Sequence, residues 1–214
     1  MYLKDFDIDF VTGERDLSWR LGSQVRSIMA LYARCLPRLK VDGGWKVLVE
    51  CMPSIERGGT VNSLGCFIIQ IPFNLDIYQA KDVEERKRIA LDTIHQGALA
   101  VASSLGWPLE PFETAYKGVV ERNYVNEWTW PKSPKSSPDR KHKAYLQCLH
   151  EHDGFYAWIV VEDKKGSKLV KEFAFKELPS EFSFVPKLGK LIWSSNERVV
   201  LLDRSDKEVK AVSL

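Results

Sequence analysis

At 214 residues, 44% hydrophobic and 28% charged, the chain has the composition of an ordinary soluble globular protein, and at this size it needs no disulfide or metal staple. With 31 basic against 29 acidic residues the formal net charge is +2, which argues against a dedicated nucleic-acid binder. No apolar run approaches the roughly 18 residues of a membrane span, and the opening MYLKDFDIDF lacks the charged-then-apolar order of a signal peptide.

Residues 2–10 alternate, with Asp5, Asp7 and Asp9 on one face of a strand and Phe6, Ile8 and Phe10 on the other. Three acids on one face predict an edge or solvent-facing strand. They are also a conceivable metal set, but no partner ligand is in view, and no metal site is assigned. Residues 18–36 repeat apolar side chains at three- and four-residue spacing (Leu21, Val25, Ile28, Met29, Tyr32, Cys35, Leu36), which predicts a helix stopped by Pro37. Two apolar runs, GWKVLVECM (44–52) and GCFIIQIPF (65–73), flank a polar loop with Gly58-Gly59 and predict a long-looped hairpin.

Asp82 followed three residues later by Glu85 reads as a capping pair opening the main helix. Val83, Leu91, Ile94, Ala98, Val101, Ala102 and Leu105 form its apolar stripe, and Gly106 with Pro108 marks its end. Pro111 opens another helix, 111–122, whose apolar face holds Phe112, Ala115, Tyr116, Val119 and Val120. The short connection predicts that these two helices pack as a hairpin.

The stretch PKSPKSSPDRKHK (131–143) has three prolines, three serines and five basic residues, the composition of a loop or linker. Strands near 144–151, 155–162, 168–176, 182–186, 190–194, 198–203 and 208–213 follow, with turn signals at Lys165-Gly166, Ser195-Asn196 and Ser205-Asp206. Asp153-Gly154 reads as the centre of a two-residue hairpin turn, which places residue 148 opposite 159 and 146 opposite 161. One face of that hairpin then carries Leu146, Cys148, Phe155, Ala157, Ile159 and Val161. The other carries Tyr145, Leu149, Tyr156, Trp158 and Val160. With both faces apolar, the second needs a cover, either helices of the first half or a partner protein.

The expected fold is α+β: a meander-rich antiparallel sheet, joined by the strands of the first half, packed against about three helices from it. We divide the chain into a mixed lobe 1–130, the basic loop 131–143 and a β lobe 144–214, folding as one cooperative structure. Cys35, Cys51, Cys66 and Cys148 form no CxxC motif and have apolar neighbours, so they read as reduced thiols of a cytoplasmic protein. A Cys51–Cys66 disulfide is the lesser reading.

Three stretches are candidates for function. His95 lies at the edge of an apolar helical stripe with Asp92, Arg88 and Glu84 on its flank, so His95, Asp92 and Glu84 are the set for a general-base enzyme such as a hydrolase. There is no HExxH and no second histidine four residues away, and the first reading of His95 is packing or a structural hydrogen bond. Glu162 and Lys164 at a strand end have the acid-x-Lys layout of a metal-dependent nuclease, which needs a further acid to share the metal. The same residues run into a turn that explains their charge.

Trp128 and Trp130, beside Lys132, Lys135, Arg140, Lys141 and Lys143, form an aromatic–basic stretch suited to a protein interface or to stacking on single-stranded nucleic acid. The competing reading has the tryptophans capping the core. No GxGxxG, GxxxxGK[ST] or GxSxG motif is present, and no cofactor is implied. The leading expectation is a protein-binding protein with a protein partner and no membrane role, in the form of an inhibitor or immunity-type antidote of a partner enzyme. The alternatives are a motif-poor enzyme and a nucleic-acid binder using 131–143.

Overall fold

The alternation DFDIDF forms β1 (Asp5–Phe10), an edge strand whose phenylalanines and Ile8 point into a core while its aspartates do not. In a computed structural model that describes all of residues 1–214, the chain is α+β, with five helices and twelve strands in three sheets. It divides into two compact units, Met1–Asn126 and Glu127–Leu214.

The first unit continues with α1 (Arg15–Cys35), β2 (Lys46–Met52), β3 (Val61–Ser63), β4 (Cys66–Pro72), α2 (Leu75–Gln79), α3 (Val83–Leu105) and α4 (Glu110–Glu121). Its sheet runs β1-β2-β4-β3. The inward residues Phe6, Ile8, Val47, Val49, Phe67 and Ile71 are buried in one cluster with Ile28, Met29 and Tyr32 of α1 and Leu91, Ile94 and Ala98 of α3. Gly97 lets α3 seat directly on β2: a Cβ there would overlap Val49 Cγ2. The capping pair forms as expected, with Asp82 Oδ1 accepting from Glu85 N at 2.8 Å, and Gly106 ends α3 at φ +68°. α4 packs on both α1 and α3.

The hairpin expected from 44–52 and 65–73 does not form. β2 and β4 pair in parallel, from Lys46 opposite Cys66 to Met52 opposite Pro72. The antiparallel partner of β4 is the three-residue β3, joined to it by Leu64-Gly65, both left-handed (φ +51° and +85°). The chain leaves β2, passes to the far side of β4's position and turns back. The same register separates Cys51, opposite Ile71, from Cys66, opposite Lys46. They lie on opposite faces of the sheet and cannot bridge, and no cysteine is in a disulfide.

The second unit contains β5 (Asn126–Thr129, which starts at the boundary), β6 (Lys135–Ser136), β7 (His142–Glu151), β8 (Gly154–Asp163), β9 (Lys168–Glu177), α5 (Glu181–Phe184) with a 3-10 turn (Val185–Lys187), β10 (Lys190–Trp193), β11 (Arg198–Leu202) and β12 (Glu208–Ser213). They make two sheets, β5-β7-β8-β9 with β6 on β7, and β10-β11-β12. The first-half strands β1–β4 do not join either one. The inner cover of the main sheet also comes from the unit itself: Leu146, Cys148, Phe155, Ile159 and Val161 cluster with Phe184, Leu188, Leu191, Val199, Leu201 and Val212.

Three local expectations change. The turn residues are His152-Asp153, with Gly154 already in β8, so 148 faces 157 and 146 faces 159. The slip is one residue on each strand, which preserves the assignment of faces. Gly154 serves the strand through its lack of a side chain, since a Cβ there would lie 2.7 Å from Lys176 Cε and 3.0 Å from Glu177 O. Residues 182–186 are helical instead of extended, with Phe184 stacked on Phe155 at 3.9 Å and Phe182 94% exposed. Residues 131–143 follow the unit boundary and belong wholly to the second unit. There Ser133 Oγ accepts from Leu146 N (2.9 Å), Ser137 Oγ accepts from His142 N (3.0 Å), and β6 pairs with β7.

Two hairpins close with one turn design. Asp163 Oδ1 accepts from Lys165 N (2.8 Å) and Ser167 N (2.9 Å) between β8 and β9. Asp203 Oδ1 accepts from Ser205 N (2.8 Å) and Lys207 N (3.0 Å) between β11 and β12. The left-handed fourth residue is Gly166 in one and Asp206 in the other. No helix is long and apolar enough to cross a membrane.

Candidate functional site

His95 is a tie between three helices. From α3 its Nδ1 lies 3.0 Å from the Tyr32 hydroxyl of α1, and its Nε2 lies 3.5 Å from Glu113 Oε1 of α4. The Tyr116 ring packs on it at 4.6 Å and donates its hydroxyl to Asp92 Oδ1 at 2.8 Å. Burial lowers the His95 pKa, against the opposing pull of Glu113 and Asp92. The hydrogen bond to Asp92 pushes the Tyr116 hydroxyl up to about 12, and burial followed by the Glu113 charge raises Tyr32 further.

Asp92 thus acts on His95 through its charge, while its hydrogen bond goes to Tyr116. Glu84 stands near the start of α3, paired with Lys87 at 3.1 Å, and is not brought to His95. The side chains that do meet His95 are Tyr32 of α1 and Glu113 and Tyr116 of α4. No linear spacing announced them.

Glu162 is engaged too, accepting from the Tyr145 hydroxyl, which burial and this bond push up to about 12. Asp163 is held by the turn amides, and Lys164 is exposed in that turn. No group of three or more His, Cys, Asp or Glu side chains is placed to hold a metal ion.

The two tryptophans pack inward. Trp128 and Trp130 are half-buried against the second unit's core, Trp128 edge-on to Phe155 at 5.7 Å. The Nε1 of Trp130 is buried without a hydrogen-bond partner. Lys132, Lys135, Arg140, Lys141 and Lys143 are exposed, with Lys141 3.6 Å from Asp139. The basic residues of the loop are thus exposed, while both tryptophans are half-buried against the core.

A different aromatic–basic surface lies on the other face of the main sheet. Register sets Tyr145 opposite Val160 and Leu149 opposite Tyr156 on β7 and β8. On β9 it sets Phe173 opposite Trp158, Lys171 opposite Val160 and Lys176 opposite Tyr156. Tyr156 and Trp158 stack at 6.1 Å, and Phe173, 46% exposed, meets Trp158 edge-on at 6.0 Å. The Lys171 ammonium lies 5.1 Å from the Trp158 ring centre and that of Lys176 4.8 Å from Tyr156, with Asp153 3.0 Å from Lys176.

The β7–β8 part of this face is readable from alternation. The β9 part is not, because bulges opposite Ala157/Trp158 and Val161/Glu162 shift the phase of Lys171, Phe173 and Lys176. Comparison of the chain with protein-family models, with curated proteins and with solved structures finds no match in any of the three. The fold and these side chains are the whole basis for a functional reading.

Proposed function

We propose that the protein acts by binding another protein, and that it docks through the face formed by Tyr145, Tyr156, Trp158 and Phe173. The observation that supports this reading is the aromatic run Tyr156–Trp158–Phe173, flanked by Lys171 and Lys176, on the sheet face that the second unit's own core does not cover. Tryptophan and tyrosine rings are among the side chains that dominate interface energy. The Lys171 ammonium over the Trp158 ring can swing to a carboxylate of a partner, while that of Lys176 is already held by Asp153, so the partner surface we infer is acidic near Lys171.

A narrower form of the proposal is an inhibitor or immunity-type antidote that covers a partner enzyme. Four cysteines outside any disulfide fit action in the reducing cytoplasm. The test is a partner recovered with the tagged protein, then titrated against Trp158→Ala/Phe173→Ala. Affinity should fall by roughly tenfold or more with little change in unfolding, as expected for interface anchors. Unchanged affinity removes this face from the interface. The same titration with Lys132, Lys135, Arg140, Lys141 and Lys143 neutralised tests the basic loop, and Trp128→Ala/Trp130→Ala should mainly destabilise.

A second reading has one specific support, since rings interleaved with lysines on a sheet also stack single-stranded nucleic acid. Oligonucleotide binding that weakens with salt and is lost in Trp158→Ala would transfer the assignment.

A further inference from the structure

The parallel strands of the first unit finish side by side. Val11 N donates to Cys51 O (3.0 Å) and Phe73 N to Met52 O (2.6 Å), which stitches the ends of β1, β2 and β4 into one rim. Beyond that rim lies an open crevice of about 590 Å³, lined among others by Phe10, Val11, Thr12, Phe73, Asn74 and Asp76. Crevices at the carboxyl ends of parallel strands are where open sheets of this kind bind ligands, and the volume is within the usual ~300–1,000 Å³.

The lining specifies the ligand's charge. Asp76 is the single charged residue in it, and no lysine, arginine or histidine takes part. Most other polar groups are already engaged. Asn74 Oδ1 accepts from Ile77 N at 3.0 Å, and Thr12 Oγ1 donates to Glu14 O at 2.9 Å. The Cys51 thiol is pushed up to about 12 by burial and stays neutral. Phe10 and Phe73 meet edge to face at 5.4 Å, with Tyr78 packed on both, so the wall is aromatic and rigid. An anion finds no counter-charge here. A cation finds a carboxylate and ring faces.

We propose that this crevice binds a small organic ammonium ion, an amine carried on an apolar body, with Asp76 taking the charge and Phe73, backed by the buried Phe10, the body. The site belongs to the first unit alone and does not depend on the docking face.

The test uses the isotope-labelled full chain, titrated with 2-phenylethylammonium, 2-phenylethanol and phenylacetate at constant ionic strength and followed by amide NMR. The ammonium should shift the amides of residues 11–12 and 73–76 saturably, the alcohol more weakly, and phenylacetate not at all. Asp76→Asn should weaken ammonium binding roughly fivefold or more while the unfolding midpoint holds, since the residue is exposed.

Phe73→Leu, which keeps an apolar wall, should weaken it as well. Acetyl-lysine-methylamide presents the same charge from a peptide, and tighter binding of it than of the free amine assigns the source to a polypeptide lysine. No saturable shift at these amides, equal binding of phenylacetate, or an unaltered affinity in Asp76→Asn overturns the site.

Discussion

Each unit leaves one sheet face outside its own core, and the two faces differ in chemistry. In the first unit α1 and α3 cover one side of the β1-β2-β4-β3 sheet. The opposite side carries charges that, Asp9 apart, are mostly paired, around the half-buried Leu48 and Ile68. Lys46 lies 2.9 Å from Asp7 and 3.4 Å from Asp5, Arg26 lies 3.0 Å from Asp7, and Glu50 takes Arg57 (3.3 Å) and Gln70 (3.0 Å). In the second unit the β10-β11-β12 sheet and α5 cover one side of the main sheet, and the other carries rings and lysines. A face closed by its own ion pairs has little to offer a partner, whereas half-exposed rings gain from being covered. That contrast selects the docking face.

The comparison is broken most severely by emptying the second unit's core. Phe155 is fully buried between Phe184, Trp128 and Phe175, so Phe155→Ala should cost about 3–5 kcal/mol in urea unfolding. Hydrogen exchange should accelerate through β7, β8 and β9, and how far the acceleration reaches into β2 and α3 measures how much the units share one transition. In the first unit the matching lesion is an added atom. Gly97→Ala forces α3 away from Val49 and should cost about 1–3 kcal/mol, with exchange faster in β2, β4 and α3.

A smaller loss, about 1 kcal/mol, is expected when Asp82→Ala removes the side chain that accepts from Glu85 N at the start of α3. Circular dichroism melts will measure it.

The least effect belongs to His95 and is visible only as a pH slope. Burial holds its imidazole below the ordinary value of 6.5, so below that pH the unfolded chain takes up a proton that the folded chain resists. Its contribution to stability is complete above 6.5 and is lost as pH falls through the folded value. Urea midpoints should therefore decline from about pH 7.5 to about pH 5, and His95→Gln should flatten part of that decline. An unaltered slope would show that His95 does not titrate across folding.

Much of the architecture was legible where a period is long and uninterrupted. The stripes of α1 and α3, the Asp82 cap, the Gly106 stop and the two faces of β7 and β8 all follow from spacing. What escaped were matters of tertiary choice. Nothing in VNS, the whole of β3, marks it as the strand that takes the antiparallel place beside β4 and leaves β2 parallel. Phe182 and Phe184 alternate like a strand, yet only Phe184 enters the core, and the α5 turn is what lets it stack on Phe155.

The site was half legible for the same reason. Trp158 and Tyr156 declare an apolar outer face by alternation. Lys171, Phe173 and Lys176 join it only because two bulges re-phase β9, and a bulge leaves no mark in a pattern read two residues at a time. Trp128 and Trp130 point the other way: their composition suggested a surface, while the packing of β5 against Phe155 turns Trp128 inward.

The twin aspartate turns also bear on the order in which the chain assembles. Each closes its hairpin within five residues, so β8–β9 and β11–β12 require only short loops and can form on the order of 1–10 μs. The parallel pair β1–β2 must first close over the whole of α1. The C-terminal hairpins are therefore expected to be the early nuclei, with the strands made first by synthesis among the last to pair.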